Sequence, residues 1–185
     1  MPQVVVWRKG IDTARFHPKF RSEEMRAKLT GGHSEAPLLL YVGRLAREKR
    51  IQDLKPLLAR FPGARLALVG TGPHEGELKE LFQGSNCVFT GQLSGQELSA
   101  AFASAGVIVI PSDSGTLGFV VLEAMASILM ATLISSQIFV FFFFEQNKKV
   151  NGPYDMLEIS RELVAARWRE GSMNVSVFPG VSGTC

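Results

Sequence analysis

From Leu38 onward the chain repeats one unit: a short apolar run, a turn, then apolar residues at helical spacing. The runs are Leu38-Leu39-Leu40-Tyr41-Val42-Gly43, Arg65-Leu66-Ala67-Leu68-Val69-Gly70, Cys87-Val88-Phe89-Thr90-Gly91 and Gly106-Val107-Ile108-Val109-Ile110. Unbroken apolar runs of this length suit strands buried on both faces. Between them stand Ile51, Leu54, Leu57 and Leu58, then Leu78, Leu81 and Phe82, then Leu98, Ala101, Phe102 and Ala105. Strands that alternate with helices form βαβ units and a parallel sheet. Right-handed crossovers leave few topologies. In the common strand order 3-2-1-4-5, strands 1 and 4 are neighbours where the order reverses, and ligands bind beyond their carboxyl ends. The expected fold class is therefore α/β, a parallel sheet with flanking helices.

Punctuation residues sharpen the boundaries. Asp53 as N-cap places Pro56 in the first helical turn, where proline is tolerated, and Phe61-Pro62-Gly63 stops that helix. Ser94 and Glu97 have capping-box spacing ahead of Leu98. Upstream, Val4-Val5-Val6 reads as a short strand and Gly10 to Pro18 as a loop. Ser22 caps a helix with Glu23 and Glu24 in its first turn, and Thr30-Gly31-Gly32 ends it.

Two loops meet at the expected switch point. Gly43-Arg44-Leu45-Ala46-Arg47-Glu48-Lys49 carries cations, and Pro111 to Gly118 leads from the fourth strand into an apolar helix. The first amides of a helix lack internal partners and carry partial positive charge, so Thr116, Leu117 and Gly118 form a candidate anion cradle. Arg44 and Lys49 would stabilise the charge that builds on a diphosphate leaving group. The bland alternatives are an ordinary turn and solvated loop charges. Arg47 and Arg50 read as surface charges, with Glu48 pairing to a neighbour. Glu123, in an apolar helix, needs a partner; a ribose diol is one, and the helix dipole is the alternative. Gly70-Thr71-Gly72-Pro73 lacks phosphate-loop spacing and reads as a plain connection.

Composition narrows the field. The chain has 185 residues and a net charge of +3, too little to argue for nucleic acid. Cys87 and Cys185 make no disulfide framework, and His17, His33 and His74 are isolated, so neither a metal site nor a cofactor is expected. Met1 to Trp7 shows no basic region followed by an apolar one, so no targeting peptide is expected in this chain. Asn174-Val175-Ser176 matches a glycosylation acceptor, but nothing else suggests a secretory route.

The motifs then converge. Tyr41-Val42-Gly43-Arg44-Leu45-x-x-Glu48-Lys49, Leu68-Val69-Gly70-x-Gly72-Pro73, Val88-Phe89-x-Gly91, and Pro111-Ser112 through Leu117-Gly118-x-Val120-Val121-Leu122-Glu123-Ala124-Met125 resemble the donor domain of the family-4 retaining glycosyltransferases. Those enzymes have the two-domain GT-B fold. Gly10-Ile11-Asp12-x-x-x-Phe16-x-Pro18 is similar to the segment that joins their domains. Phe20 to Arg26 and Thr116 to Glu123 are nearest to the plant and algal branch, which moves sulfoquinovose from a UDP donor onto diacylglycerol in the chloroplast. The resemblance covers residues 8–127.

The resemblance implies a Rossmann-like GT-B C-terminal domain, incomplete here, that binds a UDP-sugar. Arg44, Lys49 and the amides of Leu117, Gly118 and Phe119 would hold the donor diphosphate. Glu123 would hold the ribose, and Phe89, Thr90 and Gly91 would lie near the base. The acceptor, diacylglycerol, would sit on an N-terminal domain that this chain lacks, with peripheral membrane contact and a chloroplast location. Gly115 stands where the family places a first glutamate against the donor sugar, and Asp113 lies two residues earlier.

The expected divisions are an entry segment (1–36), a donor-binding domain (37–127), and a divergent apolar segment and tail (128–185). Ala124 to Phe144 carries no charge and has the length of a membrane span, though its serines, threonine and glutamine dilute it. The favoured reading is a truncated or aberrantly spliced tail, with Ile138 to Phe144 as a fifth strand. Met156 to Trp168 reads as an amphipathic helix and Gly171 to Cys185 as disorder. Three functions follow: a glycosyltransferase donor domain, a catalytically inactive nucleotide-sugar-binding fragment, or an unrelated Rossmann-like module.

Overall fold

The computed structural model describes residues 11–111, 119–127 and 139–142. Strands β1 (Leu38–Val42), β2 (Arg65–Val69), β3 (Cys87–Gly91), β4 (Val107–Ile110) and β5 (Phe139–Phe142) form one sheet in the order β3-β2-β1-β4-β5. β1 pairs in parallel with both β2 and β4, and β2 with β3. This is the order expected from the sequence, and it makes β1 and β4 neighbours. The fifth strand also lies within the expected stretch, but it is antiparallel to β4, with Phe139 opposite Ile110 and Phe142 opposite Val107. The chain thus enters β5 at the end of the sheet where β4 finishes. A parallel strand would have to enter from the opposite end, after a crossover.

The helices are α1 (Glu23–Thr30), α2 (Leu54–Arg60), α3 (Glu75–Leu81), α4 (Gly95–Ser104) and α5 (Phe119–Ser127). Side chains alternate faces along each strand, and the two cores follow that period. Leu39, Tyr41, Leu66, Leu68, Val107 and Val109 pack with Ile51, Leu54, Leu58, Leu78 and Phe82, so α2 and α3 cover one face. Leu38, Leu40, Ala67, Val69 and Ile108 pack with Met25, Leu29, Ala101, Phe102, Val121 and Ala124, so α1, α4 and α5 cover the other. The helices change face because the crossovers run outward from β1 to β3 and then back to β4. A constant hand puts opposite directions on opposite faces. Phe16, from the entry segment, shares the second core and meets the Phe102 ring edge-on at 5.9 Å.

The caps are mixed. Ser22 Oγ accepts from the Met25 amide as expected, and Gly31 ends α1 in the left-handed conformation at φ 62°. Asp53 and Ser94 do occupy the N-cap positions, but neither side chain makes a capping hydrogen bond. Asp53 is drawn instead to Arg50, 2.6 Å away, and Glu97 to Lys28, 3.2 Å away. A charged partner within reach outcompetes a neutral amide. Pro56 falls in the first turn of α2, as expected.

Arg26 locks the α1 side together. Its buried guanidinium donates to the carbonyls of Ser34, Ser104 (2.8 Å) and Ala36 (2.9 Å). Ser104 ends α4, so the cation also faces the negative end of that helix.

Among the described residues, no helix is long and apolar enough to cross a membrane. The uncharged run from Ala124 is divided there between the end of α5 and strand β5. The Val4–Val6 strand, the Ser112 to Gly118 loop, the Met156 to Trp168 helix and the Gly171 to Cys185 tail lie outside the described residues.

Candidate functional site

The carboxyl ends of β1 and β2 carry two interlocked loops. The Gly43 and Leu45 amides donate to the carbonyls of Val69 and Thr71, each at 3.0 Å, and the His74 amide donates to Leu45 at 3.0 Å. A Cβ on Gly70 would fall 2.0 Å from the Gly43 carbonyl oxygen, and one on Gly72 would fall 2.2 Å from that of Leu45. The Gly70-x-Gly72 pair is therefore more than a plain connection: both glycines let two backbones touch. These contacts tie the β1 loop to the loop after β2.

On this platform the cations divide into two groups. Arg47, at the start of a 3-10 turn (Arg47–Lys49), pairs with Glu77 of α3, and Arg50 pairs with Asp53. These are the two that the sequence reads as surface charges. The side chains of Arg44 and Lys49 have no hydrogen-bond or ion-pair partner among the described residues, and Arg44 is exposed. The hydrogen bond from Arg47 holds the Glu77 carboxyl below its ordinary range. His74 Nε2 lies 3.2 Å from the same carboxylate, so one acid ties α3 to the cation loop.

Across the switch point, the chain leaves β4 at Pro111 and resumes at Phe119, the first residue of α5. Phe119 is 47% exposed. Leu117 and Gly118 lie outside the described residues, so only the third of the expected diphosphate amides is located. Glu123 sits one turn further along α5 and is partly buried, while Val121 and Ala124 face the core. Burial raises its carboxyl above the ordinary range, and Arg15 of the entry segment pulls in the opposite direction.

Phe89, Thr90 and Gly91 end β3, which is separated from β4 by two strands, β2 and β1. Phe89 packs against the core that α2 and α3 cover, with the Lys79 ammonium 5.8 Å from its ring centroid. Thr90 Oγ1 donates to the Gly91 carbonyl at 3.0 Å, and that carbonyl also accepts from the Gly70 amide at 2.8 Å. Near this end of β3, the ring of Phe89 is turned into the fold.

One residue that the sequence reading assigned no role is Tyr41. It is 3% exposed, and its hydroxyl donates to the Arg44 carbonyl at 2.9 Å. The signal in the sequence was a lone hydroxyl in an otherwise aliphatic run. Among the described residues, no group of His, Cys, Asp and Glu is placed to hold a metal.

Parallel strands β1 to β4 flanked by helices on both faces, in an order that reverses between β1 and β4, define a Rossmann-like α/β domain. The sequence signature of the family "Glycosyl transferases group 1" matches residues 36–137, more than half of the chain, and the chain belongs to that family. The match runs past Ser127, the last residue of the motif resemblance. The sulfoquinovosyl transferase SQD2 of Arabidopsis thaliana is 50% identical over 125 residues, which are 68% of this chain and 24% of that protein. A GDP-mannose-dependent alpha-mannosyltransferase of Mycolicibacterium smegmatis is 39% identical over 127 residues, 69% of this chain and 32% of that protein. This chain thus spans a quarter to a third of the length of these relatives. Among solved structures, sucrose-phosphate synthase from Thermosynechococcus elongatus superposes with a TM-score of 0.51 at 32% identity, over 64% of this chain and 31% of that one. Anabaena HepE, solved with UDP and glucose, superposes with a TM-score of 0.50 at 22% identity, over 60% of this chain and 34% of that one. The fold is that of part of a GT-B glycosyltransferase C-terminal domain.

Proposed function

We propose that this chain is the donor-binding part of a glycosyltransferase that takes a UDP-sugar, and that residues 37–127 form the donor domain. In this reading Arg44 and Lys49 hold the donor diphosphate together with the amides of Leu117, Gly118 and Phe119. Glu123 receives the ribose hydroxyls, and the backbone of Phe89, Thr90 and Gly91 lies near the base. The observation that carries it is the sorting of the loop cations. Arg47 and Arg50 pair with Glu77 and Asp53, while Arg44 and Lys49 have no side-chain partner among the described residues. A ligand with two or more negative charges is the natural complement.

The finer reading is transfer of sulfoquinovose from UDP-sulfoquinovose to diacylglycerol in the chloroplast. Identity of 50% to the Arabidopsis sulfoquinovosyl transferase supports it. UDP in a protein of the same fold supports the nucleotide. The second reading is a nucleotide-sugar-binding chain without transfer activity. Gly115 in place of the family's first glutamate favours it.

The test is calorimetric titration of the chain with UDP. Arg44→Ala and Lys49→Ala are each expected to weaken binding by about 1.5–3 kcal/mol, the worth of a charged hydrogen bond. Unchanged affinity in both variants would overturn the donor-site reading.

A further inference from the structure

The loop that carries Arg44 is held at three successive residues, and the middle hold differs from the other two. Gly43 and Leu45 are fixed through their amides by the backbone of the β2 loop. Arg44 itself is fixed through its carbonyl, and by a side chain: the phenol of Tyr41. Tyr41 is the penultimate residue of β1, and its ring lies in the core between β1 and the helices α2 and α3. Its hydroxyl reaches up out of that core to the loop. It passes so close to Gly43 that a Cβ there would lie 2.9 Å from it.

Packing does not need this hydroxyl. Leu39, Leu66, Leu68 and Val109 fill the same face with hydrocarbon, and a phenylalanine ring would bury the same carbon surface. A buried hydroxyl carries a desolvation cost that only a good partner offsets. The partner here is one backbone oxygen, that of Arg44, whose guanidinium is exposed and has no partner among the described residues. Burial, and after it the charge of Glu48, raises the phenol above its ordinary range, so the group is a proton donor at neutral pH.

We propose that Tyr41 is a positioning residue for the donor site: its hydroxyl sets the backbone at Arg44, and so the direction in which the guanidinium meets a nucleotide diphosphate. A long exposed side chain on an unfixed loop would have to be ordered when the ligand arrives, and ordering lowers affinity. Tyr41 removes part of that cost in advance. The inference rests on the donor-site reading of Arg44 and adds the residue through which Arg44 is aimed.

The experiment is a double-mutant cycle read by UDP calorimetry on the full chain, with thermal melting of each variant without UDP. Tyr41→Phe is expected to weaken UDP binding roughly three- to tenfold, the effect of losing one net hydrogen bond. In an Arg44→Ala background the same change should have no further effect, because Tyr41 acts only through Arg44. A purely structural role would lower the melting temperature and leave UDP affinity alone, or weaken UDP equally in both backgrounds. Either result overturns the inference while the donor site stands. If Arg44→Ala itself leaves UDP affinity unchanged, the donor-site reading falls and takes this inference with it. Should Tyr41→Phe not fold, Gly43→Ala serves instead, because the new methyl displaces the phenol from the Arg44 carbonyl. It should reproduce the loss, again only when Arg44 is present, and additive loss in the two backgrounds would sink the proposal.

Discussion

At the scale of single residues, the same position can serve the fold and the ligand in opposite senses. Glu123 is such a case in the proposed donor site. Burial raises its carboxyl above the ordinary range, so holding it ionised costs the free chain stability. The sign follows from linkage: a raised carboxyl pKa favours the fold on the acid side, and that contribution is lost as pH rises through the folded-state pKa. Glu123→Gln should therefore raise the melting temperature of the UDP-free chain at neutral pH. If Glu123 reads the ribose, the same change should lower UDP affinity, yet leave competition by inorganic diphosphate little altered. A strong rise in diphosphate affinity would mean that Glu123 acts through charge repulsion instead. Gly70 makes the converse point. A Cβ 2.0 Å from a backbone oxygen cannot be absorbed by turning a side chain. Gly70→Ala should cost more than about 2 kcal/mol in chemical denaturation and should also loosen the Arg44 loop.

At the scale of elements, the α1 side is held by one cation more than by caps. Arg26 satisfies three carbonyls from α4 and from the segment between α1 and β1. Removing it leaves the buried Ser104 carbonyl without this donor, at a cost of about 1–3 kcal/mol, and frees two part-buried carbonyls that water can partly satisfy. Arg26→Met should thus destabilise the chain by about 2–4 kcal/mol by denaturant titration. Arg26→Lys should recover only a fraction, since one ammonium does not reproduce a planar fork. By contrast, Ser94→Ala should cost under about 0.5 kcal/mol, because its hydroxyl caps nothing in this fold. A loss of 1 kcal/mol or more would show that the capping box forms after all.

At the scale of the whole molecule, a GT-B enzyme reacts donor with acceptor in a cleft between two domains, and in the proposed reading this chain, which spans 24% of the Arabidopsis relative's length, supplies the donor side of such a cleft. Placing two reactants in register supplies about 7–11 kcal/mol of barrier reduction in favourable cases. The isolated 185-residue chain should accordingly bind UDP and transfer nothing. Incubation with UDP-sulfoquinovose and diacylglycerol should give no labelled lipid above the protein-free control, and labelled lipid would refute this. Gly115→Glu should leave that result unchanged in the isolated chain. In a protein that also has the acceptor domain, it should raise turnover, because a contact to the donor sugar counts most when the ring distorts.

How much of this was legible in the chain itself depends on the range of the interaction. Strand positions, helix positions and the order β3-β2-β1-β4-β5 follow from periodicity and handedness, which act between neighbours along the chain. The position of Arg44 and Lys49 at the switch point follows from the same rules. The N-cap positions Asp53 and Ser94 were also legible, but what their side chains bind was not. Arg50 takes Asp53 from the helix end, and the Ser94 hydroxyl is left without a capping role. That Arg47 is neutralised while Arg44 is not depends on where α3 places Glu77, thirty positions along the chain. The meeting of Gly70 with Gly43, the three carbonyls around Arg26 and the reach of Tyr41 to Arg44 are likewise contacts between segments. So is the antiparallel sense of β5, which depends on the end of the sheet from which the chain re-enters it. Sequence by itself determined the elements and their order because local sterics and hydrophobic period are properties of a stretch. Only tertiary structure decided which charges stay unpaired and which backbones touch, because those depend on distances that no single stretch contains.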